Sequence, residues 1–189
     1  EIIANYSAKE VYEQILGWAE TYKPDDVPLL TADEDYSIRV FDIERGGEKP
    51  RKDLAKWDEW EQYYGMLFDD IFEASVPAGY ADAPDLQQED MVALLDFLIE
   101  TTASTITEDK NAWIQGMRDY AADNGYAKRA KDYKKDPDAY KGVFGDIMMA
   151  YRVALTGKTQ TPDLYEMVMI RGADRAIARF QKARSGSPT

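Results

Sequence analysis

The amino-acid sequence predicts an all-α protein made of two helical subdomains, and three observations favour this fold class. Apolar residues recur at spacings of three or four along most of the 189-residue chain. Residues that begin and end helices stand between these runs: Ser7 and Glu10 form a capping box, and Gly157 suits the end of a helix. Strict alternation of apolar and polar residues, which indicates a half-buried strand, is nowhere sustained.

The N-terminal half of the chain is predicted to contain three helices. The first begins at Ser7 and ends before Pro24, and the second covers residues 33–44. The third is a long helix that opens at residues 51–53 and runs to about Ala74. A base-stacking role for its tryptophans would require exposed rings. We instead interpret its aromatic-rich apolar stripe as core: Trp57, Trp60, Tyr64, Leu67, Phe68 and Ile71.

The best domain boundary in the sequence lies between residues 75 and 85. Two prolines and a glycine-tyrosine turn in this stretch are loop signals, and the apolar runs on either side of it are separate. The sequence therefore predicts a first helical subdomain at residues 1–76 and a second at residues 86–189.

The C-terminal half begins with an apolar helix. Thr107 is suited to cap the next helix, which ends at Asn124-Gly125. A basic segment covers residues 128–135. Pro137 then begins the last helix before Gly157.

A turn of candidate hydrogen-bond donors follows this helix end. Thr161 is suited to cap the next helix, with Pro162 at its first position and Asp163 facing the positive end of its dipole. We expect Arg152, Lys158 and Thr161 to meet the free amides of that helix at one surface notch, which suits a phosphate or a base edge. The alternative is purely structural: Arg152 pairs with a neighbouring carboxylate, and Thr161-Pro162 only caps.

The composition excludes several classes of chemistry. The chain has no cysteine and no histidine, so disulfides, thiolate and imidazole metal ligands, and Ser-His or Cys-His catalysis are ruled out. No metal site is predicted. No apolar run approaches the roughly 20 residues of a membrane span, and residues 1–4 do not resemble a signal peptide. We therefore expect a cytoplasmic protein with no membrane partner.

The net charge of −13 opposes binding to nucleic acid unless positive charge is segregated on the surface. Two stretches are rich in basic residues, namely Lys128, Arg129, Lys131, Lys134 and Lys135, and then Arg171, Arg175, Arg179, Lys182 and Arg184. A solvated helix face is the commoner meaning of such runs. RNA contact by these side chains is therefore a hypothesis that the structure must test.

The sequence contains no convincing catalytic motif. Gly157-Lys158-Thr159 ends like a phosphate-binding loop, but Arg152 stands where the first glycine of that motif belongs. Acidic pairs at helical spacing, such as Asp69 and Glu73, are common by chance in so acidic a chain. They do not by themselves predict a hydrolytic site.

The stretch from Arg152 to Phe180 reads RVALTGKTQTPDLYEMVMIRGADRAIARF. It closely resembles the C-terminal end of bacterial glutamyl-tRNA synthetases, whose pattern is R-x-A-L-T-G-x-x-x-[ST]-P-x-L-[FY]-E followed by a G-x-[DE]-R helix. The chain departs from many members at Ala173-Asp174, where those carry Lys-Glu. Residues 43–57 are similar to the earlier helical domain of the same family.

This resemblance implies a helical bundle that holds the anticodon arm of glutamate tRNA, with neither DNA nor membrane as a partner. By residue-by-residue match, it implies that the anticodon bases are contacted by Arg152, Thr161, Pro162 and Leu164. Basic residues near these matching stretches and in the basic segment are candidates for contacts with the tRNA backbone: Arg45, Arg51, Lys52, Lys56, Lys131, Lys134 and Lys158.

The resemblance also implies a class I aminoacyl-tRNA synthetase, whose ATP- and Mg-dependent active site lies in an N-terminal Rossmann domain. Both signature motifs of that domain are absent, and one of them normally contains two histidines. The chain therefore resembles the C-terminal part of a glutamate–tRNA ligase, without catalysis or a cofactor of its own. Whether the parent enzyme also charges glutamine tRNA is left open by the sequence.

Two other functions are compatible with the residues alone. An acidic helical scaffold that binds another protein would account for the surplus of carboxylates. A stand-alone enzyme that works through carboxylates is the second alternative. RNA binding that weakens steeply with salt would separate anticodon recognition from both of them.

Overall fold

The computed structural model describes residues 3–45, 54–75, 86–106 and 109–186. These ranges contain eleven α-helices, several short 3-10 helices and one pair of two-residue strands, so the prediction of an all-α fold is confirmed. No helix in them is both long and apolar enough to cross a membrane.

The chain divides into two compact units. Unit 1 contains Glu1–Ser75 and Gln160–Ile170, and unit 2 contains Val76–Thr159 and Arg171–Thr189. The loop that we proposed as a domain boundary lies outside the described residues. The subdomain limits at 1–76 and 86–189 therefore stay a prediction.

The N-terminal part of unit 1 is helical in short segments. The capping box at Ser7 is confirmed, because the Ser7 side chain accepts from the Glu10 amide and the Glu10 carboxylate accepts from the Ser7 amide. Asp33 caps the helix that we predicted over residues 33–44. The α-helices of this part are α1 (Ala8–Tyr22), α2 (Val27–Thr31), α3 (Glu34–Asp42), α4 (Trp60–Tyr64) and α5 (Asp69–Ser75).

The prediction of one long helix from residues 51–53 to Ala74 is wrong. Its opening residues lie outside the described ranges, and beyond them a 3-10 turn over Gly65–Leu67 separates α4 from α5. Phe68 then adopts an extended conformation, with φ −95° and ψ 126°. This break turns the Phe68 ring toward Trp60, at 5.4 Å between ring centroids. Burial of the ring is favoured over a continuous helix.

Aromatic rings form the core of unit 1. Phe41 packs edge-on against Trp60 and Tyr64, at centroid distances of 6.2 and 5.4 Å. The Tyr36 hydroxyl, also buried, donates to the Leu67 carbonyl at 2.6 Å. The core interpretation of the stripe is therefore confirmed for its most buried members, and the full burial of Trp60 excludes it as a base-stacking platform.

Unit 2 is built from longer helices around a buried tyrosine. Tyr151 lies 5.5 Å from Trp113 and 5.4 Å from Phe180 between ring centroids. The α-helices of this part of the chain are α6 (Gln88–Thr105), α7 (Lys110–Asp123), α8 (Ala130–Lys135), α9 (Phe144–Thr156) and α11 (Ala173–Gly186), and most of α10 (Leu164–Arg171) belongs to unit 1.

The ends of α7 differ in how well they could be predicted. Gly125 follows the helix with φ 85°, which confirms the predicted stop. Thr107, the predicted cap, lies outside the described residues. The observed cap is Asp109, whose carboxylate accepts from the amides of Asn111 and Ala112.

The helix predicted to begin at Pro137 starts later, so that prediction is wrong. Residues 137–139 form one 3-10 turn, and strand β2 (Gly142–Val143) then pairs in parallel with β1 (Tyr126–Ala127). A Cβ atom on Gly142 would lie only 2.5 Å from the Asp146 carboxylate, so a larger residue there would force that carboxylate to shift. Asp146 accepts from the Val143 amide at 2.8 Å and thereby places the start of α9 at Phe144.

Candidate nucleic-acid interface

The C-terminal end of α9 is closed as the sequence predicted. Gly157 has φ 69°, and its amide donates to the Val153 carbonyl at 2.7 Å. The Thr156 hydroxyl donates to the Arg152 carbonyl at 2.7 Å and accepts from the Lys158 amide at 3.1 Å. These bonds hold the turn through which the chain leaves unit 2.

Arg152 and Lys158 flank this helix end, and both are half-buried. Burial lowers the pKa of the Lys158 ammonium from its usual value, because desolvation penalises the charged form. A partly desolvated cation interacts more strongly with a phosphate than a fully hydrated one does.

The start of α10 differs from the prediction. The helix begins at Leu164, and its cap is Asp163, whose carboxylate accepts from the Glu166 amide at 3.0 Å. The Thr161 hydroxyl donates instead to the Pro162 carbonyl at 2.9 Å. Thr161 is therefore not the cap and Pro162 is not the first helical residue, because an aspartate closer to the helix takes the capping role.

Carboxylates also accept hydrogen bonds from backbone amides that we expected to be free for a ligand. The Asp163 amide donates to the Glu44 carboxylate at 3.1 Å, and the Glu44 amide donates to the Glu166 carboxylate at 2.9 Å. Glu44 follows α3 and has φ 57°, the left-handed conformation. The amides of Asp163 and Glu166 are therefore already bonded, and the predicted notch loses these two donors.

The remaining residues of the predicted base-contacting set differ in exposure. Leu164 is 4% exposed and Pro162 is also buried, whereas Thr161 is half-buried. Thr161, Pro162 and Leu164 belong to unit 1, while Arg152 and Lys158 belong to unit 2. Their meeting in one notch therefore stays a prediction.

The candidates for contact with the tRNA backbone separate into different groups. Arg45 has a structural role, because its guanidinium donates to the carbonyls of Phe41 and Ile3, both at 2.8 Å. Lys56 is exposed in unit 1. The two remaining N-terminal candidates, Arg51 and Lys52, lie outside the described residues.

In the basic segment 128–135, the first two basic residues form ion pairs with aspartates. Lys128 pairs with Asp119 at 3.0 Å, and Arg129 binds both carboxylate oxygens of Asp132, at 2.7 and 3.1 Å. Hydrogen bonding to Arg129 lowers the pKa of the Asp132 carboxyl, which keeps this pair charged. The lysines of α8 are exposed and form no ion pair within the described part of the chain: Lys131, Lys134 and Lys135.

The second basic stretch, residues 171–184, is partly structural: Arg175 and Lys182 are exposed, but its other members are buried or paired, so only part of its charge is on the surface. Arg171 and Arg179 are 4% and 3% exposed. Arg179 donates to the Leu155 carbonyl at 2.7 Å and so bonds one of the last carbonyls of α9. Arg184 pairs with Asp96 at 3.0 Å.

Two surface grooves were not found by sequence reasoning. The groove in unit 1 has a volume of about 560 Å³ and is lined by Ile3, Tyr6, Trp18, Tyr22, Ala55, Lys56, Trp57 and Asp58. The groove in unit 2 has a volume of about 530 Å³ and is lined by Gln115, Arg118, Ala122, Tyr126, Lys128, Arg129, Asp132 and Tyr140. Arg118 and Ala122 lie on one face of α7, but this spacing alone does not signal a groove. The other walls of the second groove come from distant segments.

Acidic residues were the other candidates for chemistry. Asp69 and Glu73 are exposed on α5. Across the described ranges, no three acidic side chains approach closely enough to hold a metal ion.

Comparison with known proteins shows what this chain is similar to. Residues 138–184 match the family model described as anticodon binding domain. Glutamate–tRNA ligase of Acetivibrio thermocellus is 35% identical over 181 residues, which are 96% of this chain and 32% of that protein. The glutamate–tRNA ligase of Clostridium perfringens strain SM101 is 33% identical over 96% of this chain and 33% of its own length. That of Sorangium cellulosum is 30% identical over 96% of this chain and 31% of its length.

No solved structure matches the chain. The chain spans about one third of the length of the curated relatives named above. The matched residues include the whole motif from Arg152 to Phe180. The resemblance drawn from that motif is therefore confirmed: over almost its whole length the chain is homologous to part of bacterial glutamate–tRNA ligases, and it contains a match to their anticodon-binding domain.

Proposed function

We propose that this chain binds the anticodon arm of glutamate tRNA as part of a glutamate–tRNA ligase. The observation that carries the proposal is the anticodon-binding match at residues 138–184, because it contains all four positions that the motif assigns to base contact. Similarity to glutamate–tRNA ligases over 96% of the chain supports the same function.

On this proposal, the anticodon bases are recognised by hydrogen-bond donors that lie beside buried apolar residues. Arg152 offers a planar guanidinium that suits bidentate contact with a base edge. Thr161 offers a half-buried hydroxyl. Pro162 and Leu164 are buried, so their role is to support the segment or to meet a base after a local displacement. Recognition of unstacked bases in a loop is the usual way in which proteins read RNA sequence.

On this proposal, the lysines of α8 contact RNA phosphates, and these contacts do not depend on the RNA sequence. Lys131 and Lys134 are exposed and outside ion pairs in the described residues, so they can pair with phosphate without first breaking a salt bridge there. Lys56 offers the same chemistry in unit 1. The net charge of −13 opposes this binding. Affinity should still fall as the salt concentration rises, because each lysine–phosphate contact releases counterions.

The chemistry of aminoacylation belongs, on this proposal, to another part of a cytoplasmic parent protein, which would bind ATP and magnesium. The chain itself has no histidine or cysteine to act as a catalytic base or nucleophile. We expect the purified chain to show no glutamate- and tRNA-dependent pyrophosphate exchange. Exchange above the background of a buffer control would contradict this expectation.

The test of the proposal is a binding titration with the anticodon stem-loop of glutamate tRNA and with a stem-loop in which one anticodon base is changed. Arg152→Ala should cost about 1–3 kcal/mol of affinity for the cognate loop and reduce discrimination against the changed loop. Arg152→Lys should behave nearly as badly, because lysine keeps the charge but lacks the planar fork. Arg39→Ala, which removes an exposed arginine of α3, is the matched control.

A second pair of substitutions separates base reading from phosphate contact. Lys131→Ala with Lys134→Ala should weaken both stem-loops alike and reduce the salt dependence by about one unit of slope for each phosphate that is no longer bound. Full binding and discrimination by Arg152→Lys would refute the base-reading role. Absence of salt-sensitive RNA binding by the unaltered chain would refute the proposed function and favour a protein-binding scaffold.

A further inference from the structure

The contacts of Glu44 join two segments of unit 1 that are far apart in sequence. Its carboxylate accepts from the Asp163 amide at 3.1 Å, and its own amide donates to the Glu166 carboxylate at 2.9 Å. The two bonds run in opposite directions between the same pair of segments. They therefore fix both the position and the orientation of the first turn of α10.

The backbone of Glu44 is adapted to this double contact. Its φ of 57° is the only positive value among the non-glycine residues of the described ranges. The left-handed conformation is unfavourable for most side chains, and Asn, Asp and Gly adopt it more readily than Glu does. A glutamate thus stands where the backbone favours other residues, and its carboxylate is the group that reaches the Asp163 amide.

The first turn of α10 is further held by its own cap. The Asp163 carboxylate accepts from the Glu166 amide at 3.0 Å, and the Asp163 carbonyl accepts from the Met167 amide at 3.0 Å. Glu44 is hydrogen-bonded to Asp163 and Glu166, which lie on either side of Leu164. Asp163 directly follows Thr161-Pro162. Any displacement of Glu44 would therefore move the segment to which the motif assigns base contacts.

We infer that Glu44 is a positioning residue for anticodon discrimination, acting through Asp163 and Glu166 to hold the 161–164 segment. This role rests on the proposed function. Glu44 acts without touching RNA, and it contributes as a hydrogen-bond acceptor rather than through its charge. Its negative charge alone would weaken RNA binding.

Two substitutions separate positioning from charge. Glu44→Gln removes the charge but keeps an oxygen that accepts from the Asp163 amide, so discrimination between the cognate and changed stem-loops should remain within about twofold of the unaltered chain. Glu44→Asp keeps the charge and suits the left-handed backbone better, but its carboxylate is one methylene too short for the same contact. We expect Glu44→Asp to lower discrimination about tenfold.

The measurements are stem-loop titrations at two salt concentrations and hydrogen exchange of the Asp163 amide. Glu44→Asp should accelerate this exchange, while Glu44→Gln should not. Glu20→Ala removes an exposed carboxylate of α1 and serves as the charge control. It should leave both discrimination and exchange unchanged.

The outcomes distinguish the two proposals. If the unaltered chain does not discriminate the stem-loops, the proposed function fails, and the positioning role fails with it. If the unaltered chain discriminates but Glu44→Asp does so equally well, only the positioning role is overturned. The positioning role is also overturned if Glu44→Gln is as defective as Glu44→Asp, because the charge would then be the property that matters.

Discussion

Asp26 provides a pH-dependent test of the packing in unit 1. Its side chain is 8% exposed, with Lys23 at 3.4 Å, and Lys23 also pairs with Glu61. Burial, with a further contribution from the neighbouring Glu61, raises the pKa of the Asp26 carboxyl from 3.8 to about 6, while Lys23 opposes the rise. The ionised carboxylate is therefore less favourable in the folded chain than in the unfolded chain.

The sign of the pH effect follows from this raised pKa. Between about pH 4 and pH 6 the folded state binds the proton more tightly than the unfolded state, so stability falls as the pH rises through this window. The full amplitude is about 3 kcal/mol, because each unit of pKa difference corresponds to about 1.4 kcal/mol. Asp26→Asn mimics the protonated carboxyl and should remove this fall in stability with rising pH.

Urea unfolding of both proteins between about pH 4.5 and pH 8 would measure the effect. The free energy of unfolding of Asp26→Asn, minus that of the unaltered chain, should rise up to about pH 6 and stay level above about pH 7. Taking the difference cancels the titration of shared groups that do not interact with Asp26. A difference that is flat across the range, or that falls with rising pH, would refute the reasoning.

Three further substitutions test individual contacts by urea or thermal unfolding followed by circular dichroism. Tyr36→Phe removes the buried donor to the Leu67 carbonyl and should cost about 1–3 kcal/mol; an unchanged midpoint would show that another donor replaces it. Arg179→Met removes the bond to the Leu155 carbonyl and should cost about 2–4 kcal/mol while leaving stem-loop affinity unchanged. A loss of RNA affinity in the folded variant would contradict its structural role. Gly157→Ala should cost about 1–2 kcal/mol because φ is 69° there, and equal stability would show that the turn relaxes.

Features decided by local chemistry could be predicted from the sequence. The capping box at Ser7 and the glycine that closes α9 depend on residues within four positions of each other, so the sequence contains all the partners. The aromatic stripe was likewise recognisable as core from its spacing. Its division into α4 and α5 was not, because the extended conformation of Phe68 depends on the ring of Trp60 that it packs against.

At the candidate site too, features set by neighbouring residues were predictable and features set by distant partners were not. Gly157 and the presence of a helix after it were predictable, but the cap moved from Thr161 to Asp163. Glu44, more than a hundred residues earlier in the chain, bonds the Asp163 amide, and no local pattern signals this partner. Arg179 looked like part of a basic stripe for a similar reason: the spacing of arginines along a helix does not tell which of them faces a carbonyl in the core.

The return of residues 160–170 to unit 1 has a consequence for synthesis on the ribosome. Residues 1–75 are translated before residues 76–159, and the segment that bonds Glu44 is translated only after all of α6, α7, α8 and α9. During that interval the amide of Glu44 and the end of α3 must remain hydrated or find temporary partners. The native arrangement of unit 1 is therefore reached late, and a nascent chain that stalls before residue 163 would expose an incomplete unit to proteases and chaperones.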